Sequence, residues 1–154
     1  MIQRFPLRAA AAAVLLISAC GGNKPSAAMP EPAPSAEKAV QEFMQAVADS
    51  NLAKMAQLWG SAKGPAAQTH EPANYAQRIV VMQVYLRNAT YRILSNDIDP
   101  SQAGRHTLQV EIRRDACQKV VPFGVVQSPA GWLVNQLDLS ALGSPGRPCD
   151  TPGQ

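Results

Sequence analysis

The chain predicts an α+β domain in which three helices precede a four-stranded antiparallel meander. Three observations carry this. Apolar residues repeat at helical spacing between Ala36 and Leu86, beyond Asn88 the repeat shortens to alternation, and turn-forming stretches separate the alternating runs. Helices gathered ahead of the strands, rather than interleaved with them, mark α+β organisation.

The first helix, 36–48, starts after Ser35, whose hydroxyl suits an N-cap, and carries Ala36, Val40, Phe43 and Val47 on one face. Asp49-Ser50-Asn51 breaks it, and Leu52, Met55, Leu58 and Trp59 mark a second, shorter helix over 51–59. Residues 60–72, rich in Gly, Pro and polar side chains, read as loop. The third helix, 74–87, begins at Asn74, which with Gln77 three residues on imitates a capping box. Tyr75, Ile79, Met82 and Leu86 form its apolar face.

The strands follow. Tyr91, Ile93 and Ser95 alternate with Arg92 and Leu94, and this run stops before Asp99-Pro100. The second strand places His106, Leu108, Val110 and Ile112 on one side and Thr107, Gln109, Glu111 and Arg113 on the other. A third strand over 118–127 turns at Ser128-Pro129-Ala130-Gly131 into a fourth over 132–139.

Ahead of the domain, the first residues have three zones: a basic start with Arg4 and Arg8, an apolar stretch from Ala9 to Ile17, and small residues at Ser18 and Ala19. That is the layout of a secretory signal, and the apolar run is short of the roughly 20 residues a membrane-crossing helix needs. Residues 1–19 are expected to be removed. Ile17-Ser18-Ala19-Cys20 resembles the bacterial lipobox. The resemblance implies a diacylglyceryl group on the Cys20 thiol, cleavage just before it, and acylation, commonly with palmitate, of the new amino group. Two or more acyl chains anchor a protein stably where one does not. Gly21 rather than Asp follows the cysteine, and the resemblance then favours the periplasmic face of the outer membrane.

Residues 20–35 read as a tether: prolines at 25, 30, 32 and 34 and few large apolar side chains leave little to bury. In polyproline-like geometry such a tether reaches about 45 Å. The domain then spans 36–142, and a Gly- and Pro-rich tail runs over 143–154. Loss of Arg4 and Arg8 leaves 12 of the 14 Lys and Arg against 11 acidic residues. No basic stripe with interleaved aromatics points to nucleic acid.

With Cys20 acylated, Cys117 and Cys149 remain. An even remainder in an exported chain predicts a disulfide, the alternative being two reduced thiols. The meander puts Cys117 near Leu139 to Leu142, and the tail GSPGRPC can fold back from there. His70 and His106 stand alone, without metal-ligand spacing, and no Gly-rich phosphate loop, GxSxG or HExxH occurs, so no cofactor is expected. Asn88-Ala89-Thr90 matches the N-glycosylation pattern, an accidental match in a bacterial lipoprotein.

The stretch AEKAVQEFMQAVADSNLAKMAQLW, the third helix, and a close in SPAGWLVNQLDL together resemble the NTF2-like fold, also called cystatin-like or SnoaL-like. The resemblance spans about residues 36–140. It implies helices packed on a curved sheet that forms a cone-shaped cavity, with Trp59, Tyr75, Met82, Tyr91, His106 and Trp132 lining it. Between Trp59 and Asn74, where a strand hairpin is usual in the family, the sequence is loop-like, which implies a more open mouth.

Fold does not decide function. The preferred expectation is a non-catalytic accessory module, anchored to the membrane, that binds a small ligand or an envelope protein. The alternative is a SnoaL-like isomerase or hydrolase using a cavity His and Asp, with His70, His106, Asp97 and Asp99 as candidates and Tyr75 as a polar wall. Sequence spacing brings none of these within reach of one another. A third class, a passive envelope component, would use the outer sheet face at Gln109, Glu111 and Arg113.

Overall fold

The computed structural model describes residues 32–87 and 89–147. The expected signal segment, Cys20, most of the tether, Asn88 and Cys149 with the end of the tail lie outside the described residues.

Helix α1 (Ala36–Ala48) is capped as expected: the Ser35 hydroxyl accepts from the Lys38 amide at 3.2 Å, with Glu37 in the first turn. Its buried face is Ala36, Ala39, Val40, Phe43, Met44, Ala46 and Val47. Ser50 adopts a left-handed φ of 53°, which turns the chain, and the Asn51 side chain accepts from the Lys54 amide at 2.9 Å to start α2 (Leu52–Leu58). Met55, Ala56 and Leu58 are its buried residues, whereas Leu52, expected on the apolar face, is exposed.

Residues 60–72 are not simply loop. They hold a minimal antiparallel hairpin, β1 (Gly60–Ser61) with β2 (Gly64–Pro65), and a one-turn helix α3 (Ala66–Thr69). Among the described residues there are therefore four α-helices rather than three. Two-residue strands carry too few positions for alternation to register. Tertiary contacts hold the hairpin instead: Trp59 bridges Val134 in parallel, and Asn135 Nδ2 donates to the Gly60 carbonyl at 2.7 Å.

Helix α4 (Tyr75–Leu86) buries Ile79, Met82 and Leu86. The expected capping box does not form. Asn74 makes no side-chain cap bond, because its Oδ1 accepts from Arg78 Nε at 3.0 Å.

Four strands, β3 (Thr90–Ile98), β4 (Arg105–Arg114), β5 (Cys117–Ser128) and β6 (Gly131–Leu137), form one antiparallel sheet in sequence order. Register shifts at Ile93/Ser95 and Gly124/Val125 interrupt the ladders, and such irregularities bend a sheet. On β4, Leu108, Val110 and Ile112 are buried and the residues between them are not, as the alternation predicts. The inner face meets α1 and α2 in a single core that includes Phe43, Met55, Leu108, Val121, Phe123 and Val134. A short 3-10 helix (Leu139–Leu142), capped by Asp138 Oδ1 on the Ser140 amide at 3.0 Å, closes the domain and buries Leu142. The Ser140 hydrogen bonds hold the Asp138 carboxyl below its ordinary pKa, and those from Ser101 do the same for Asp99.

Packing starts ahead of residue 36. Ala33, read from sequence as tether, is only 3% exposed and joins the core, and its carbonyl accepts from the Trp132 amide at 3.1 Å. Gly131 makes room for this strap: it has φ +90°, and a Cβ there would lie 2.7 Å from Pro32 Cβ and 3.1 Å from the Ala33 nitrogen and oxygen. Gly131→Ala is expected to cost about 2 kcal/mol and to speed hydrogen exchange at the Trp132 amide. Unchanged protection there would mean that the strap is not held as described.

Candidate functional site

A cleft of about 360 Å³ opens between α4 and the end of β6, lined by Trp59, Asn74, Gln77, Arg78, Val81, Met82, Asn135, Gln136, Leu137 and Leu139. A second cleft of about 430 Å³ shares Trp59, Arg78 and Asn135 with it and extends over Gly60, Ser61, Glu71 and Pro72. The two adjoin through these three shared residues and are taken together as the Trp59 cleft.

Each part follows from local structure. Trp59 ends α2 in extended backbone and bridges Val134, which holds the indole, 7% exposed, at the seam between hairpin and sheet. Met82 comes from the buried stripe of α4. Asn74, Gln77 and Arg78 belong to the opening turn of the same helix and reach the cleft rim, while Asn135 is fixed by its bond to Gly60. The outcome is an apolar floor under a polar rim, the usual composition of a small-molecule site.

The rim carries one positive group and one negative group whose pairing differs. Glu71 is bound by Lys63 Nζ at 2.9 Å and 3.2 Å. Arg78 is held only by Asn74 among the described residues, with no carboxylate in ion-pair range.

A separate groove of about 520 Å³ runs beside Trp132 between the Pro32-Ala33 strap, Leu58, Pro65, Pro129 and Leu133. Its polar lining is limited to the amides Gln57 and Gln68. It is larger than either part of the Trp59 cleft but, among the described residues, has no charged group in its lining to orient a ligand, so the Trp59 cleft is the stronger candidate.

No family model and no curated protein matches the chain. Among solved structures it is similar to an NTF2-like protein of unknown function from Cytophaga hutchinsonii, at 10% identity, with 68% of this chain and 91% of that chain covered and a TM-score of 0.41. A protein of unknown function with a cystatin-like fold from Nostoc punctiforme is similar at 9% identity, with 66% and 87% covered and a TM-score of 0.42. A phospholipid-binding protein from Ralstonia solanacearum, in complex with a phospholipid, is similar at 14% identity, with 72% and 79% covered and a TM-score of 0.38.

The six residues expected to line one cavity are dispersed. Trp59 and Met82 share the cleft, whereas Trp132 lines the separate groove. Tyr75 packs partly buried against the core and lies 5.9 Å from the His70 ring. Tyr91 pairs with Ile112 near the start of the edge strand, is 37% exposed and lines neither space, although partial burial raises its phenol pKa. His106 stacks edge-on to Trp132 at 4.7 Å, and its Nδ1 lies 2.7 Å from Asn96 Oδ1.

The groups considered for catalysis are equally scattered. His70 ends α3 in left-handed backbone, Asp97 accepts from the Ser95 hydroxyl at 2.9 Å, and Asp99 is held by Ser101. The residues sequence reasoning missed are the polar rim, Asn74, Gln77, Arg78 and Asn135. Polar residues in a helix's first turn and at a strand end look like ordinary solvent-facing ones until the fold brings them together.

On the outer sheet face, Glu111 pairs with Arg92 at 3.3 Å and Gln118, and Gln118 accepts from Arg113 at 2.7 Å. Two of the three residues considered there for a protein contact are thus tied into a ladder across three strands. Cys117 is buried where β5 begins and is not a free thiol. It lines a small crevice with Leu142, the neighbourhood the meander predicts.

Proposed function

We propose that the chain is a lipid-anchored envelope protein whose NTF2-like domain holds a small ligand near the membrane without acting as an enzyme. The Trp59 cleft carries this reading: an apolar floor and convergent polar rim of about 360 Å³ fit a small molecule. Cys20 is the acylated residue, at the periplasmic face of the outer membrane, and Cys149 is the disulfide partner of Cys117, pinning the tail to the sheet.

The test is to purify the chain from its native membrane, extract it with organic solvent, and identify what is released by mass spectrometry. A small molecule in stoichiometric amount is expected, absent from a Val81→Trp variant. Val81 is 44% exposed on the cleft wall, so the larger side chain fills the cleft without entering the core. Equal recovery from both proteins, or none from either, sinks the ligand-binding role. Intact mass of the same sample reads the anchor: a chain starting at Cys20 with added acyl mass, gaining two hydrogens on reduction. A chain cut elsewhere without acyl mass makes this a secreted domain.

A further inference from the structure

The geometry points to an amphipathic monoanion as the occupant of the Trp59 cleft, its carboxylate on Arg78 and its apolar body over Trp59, Met82 and Leu137; this rests on the cleft being a ligand site. Three features single out this chemistry. The first is the unspent charge of Arg78. Asn74 Oδ1 takes the Nε proton at 3.0 Å, so the guanidinium is oriented by the protein while its two Nη groups have no protein partner among the described residues. Two parallel N–H groups in a fixed plane match the two oxygens of a carboxylate.

The second feature is the neutralised acid. Glu71, on the contiguous part of the cleft, is bound by both contacts to Lys63 Nζ, so it neither satisfies Arg78 nor presents an uncompensated negative charge to the ligand. The third is the count of charges. Arg78 is the only cation lining either part of the cleft, among the described residues, and apart from the Lys63-bound Glu71 its other polar rim side chains are neutral amides and a hydroxyl. One cation balances a carboxylate, whereas a phosphate dianion would be left half compensated. The floor supplies the other half of the selectivity, since Trp59, Met82, Leu137 and Leu139 offer no hydrogen-bonding group to a polar body apart from the indole N–H.

The test uses the chain from residue 20 onward carrying Cys20→Ala, which lacks both the acyl chains and the apolar signal segment, and Trp132→Phe, which leaves Trp59 as the fluorophore. Decanoate and its neutral counterpart decanol are titrated against it at pH 7.5. Decanoate is expected to bind about fivefold more tightly, the upper end for one exposed charge-assisted pair. Arg78→Gln is expected to bring the two affinities to within about twofold of each other with the fold intact, the side chain being exposed. Equal affinity for the two probes, or an undiminished margin in Arg78→Gln, overturns the anion assignment and leaves the ligand-binding reading standing. Failure of both probes to perturb Trp59 overturns both.

Discussion

Phe43→Ala is expected to lower the unfolding free energy by about 3 to 5 kcal/mol, the range for deleting a fully buried aromatic ring. Phe43 is 0% exposed at the middle of α1, and its helix packs on β5 and β6. The ring belongs to the one core shared by α1, α2 and the sheet, which includes Met55, Leu108 and Phe123. A cavity there opens inside a core drawn from α1, α2 and the sheet, whose hydrogen-bonded backbones give the site little scope to collapse. Native domains have only about 5 to 15 kcal/mol in total. The loss would therefore consume about a fifth or more of the stability. Urea unfolding should show a lower midpoint at unchanged slope. A loss under about 1.5 kcal/mol would mean that α1 does not set the core.

The second large effect is expected at Gly60, where alanine should cost about 3 kcal/mol, the upper part of the range for overpacking. A Cβ at this position would lie 2.3 Å from the Gly64 carbonyl oxygen, 2.9 Å from Pro65 Cα and 3.0 Å from the Gly64 carbonyl carbon. All three are backbone atoms of the opposing strand, so no side chain can swing away and the hairpin itself must open. Opening it pulls on two attachments: the Asn135 bond to the Gly60 carbonyl and the neighbouring Trp59 bridge to Val134. Trp59 fluorescence should shift along with stability, because the indole sits at that seam. Gly146→Ala is the matched control. Nothing lies within 4 Å of a Cβ at Gly146, and a change within about 0.5 kcal/mol is expected. Equal tolerance at the two glycines would refute the close approach of β1 and β2.

The same residues show what periodicity reports and what it misses. The stripe of Val40, Phe43 and Val47 and the alternation of Leu108, Val110 and Ile112 place buried side chains correctly, because local geometry repeats wherever one face meets the core. Gly60 to Pro65 look like loop because a two-residue strand has no period, and the pairing depends on Asn135, 75 residues away. Asn74 and Gln77 look like a capping box because sequence cannot weigh a competing partner, and Arg78 takes the Asn74 oxygen. Ala33 looks like tether because small and proline-rich segments carry no apolar signal, yet a shallow site beside Gly131 buries it.

The site divides in the same way. On the NTF2-like resemblance Trp59 and Met82, which lie together in this cleft, were expected to line a cavity. Arg78, Gln77 and Asn135 were not, since being polar says nothing about which neighbour a residue will face. By itself the amino-acid sequence determined the α+β class, the order and faces of the main elements, and the turn from β5 to β6, all of which arise from interactions a few residues apart. Only the tertiary structure decided that α4 and the end of β6 flank one cleft at Trp59, that Glu71 is taken by Lys63 and that Arg78 is left without a carboxylate among the described residues. Those outcomes depend on distances between segments far apart in the chain, set by how the whole core closes.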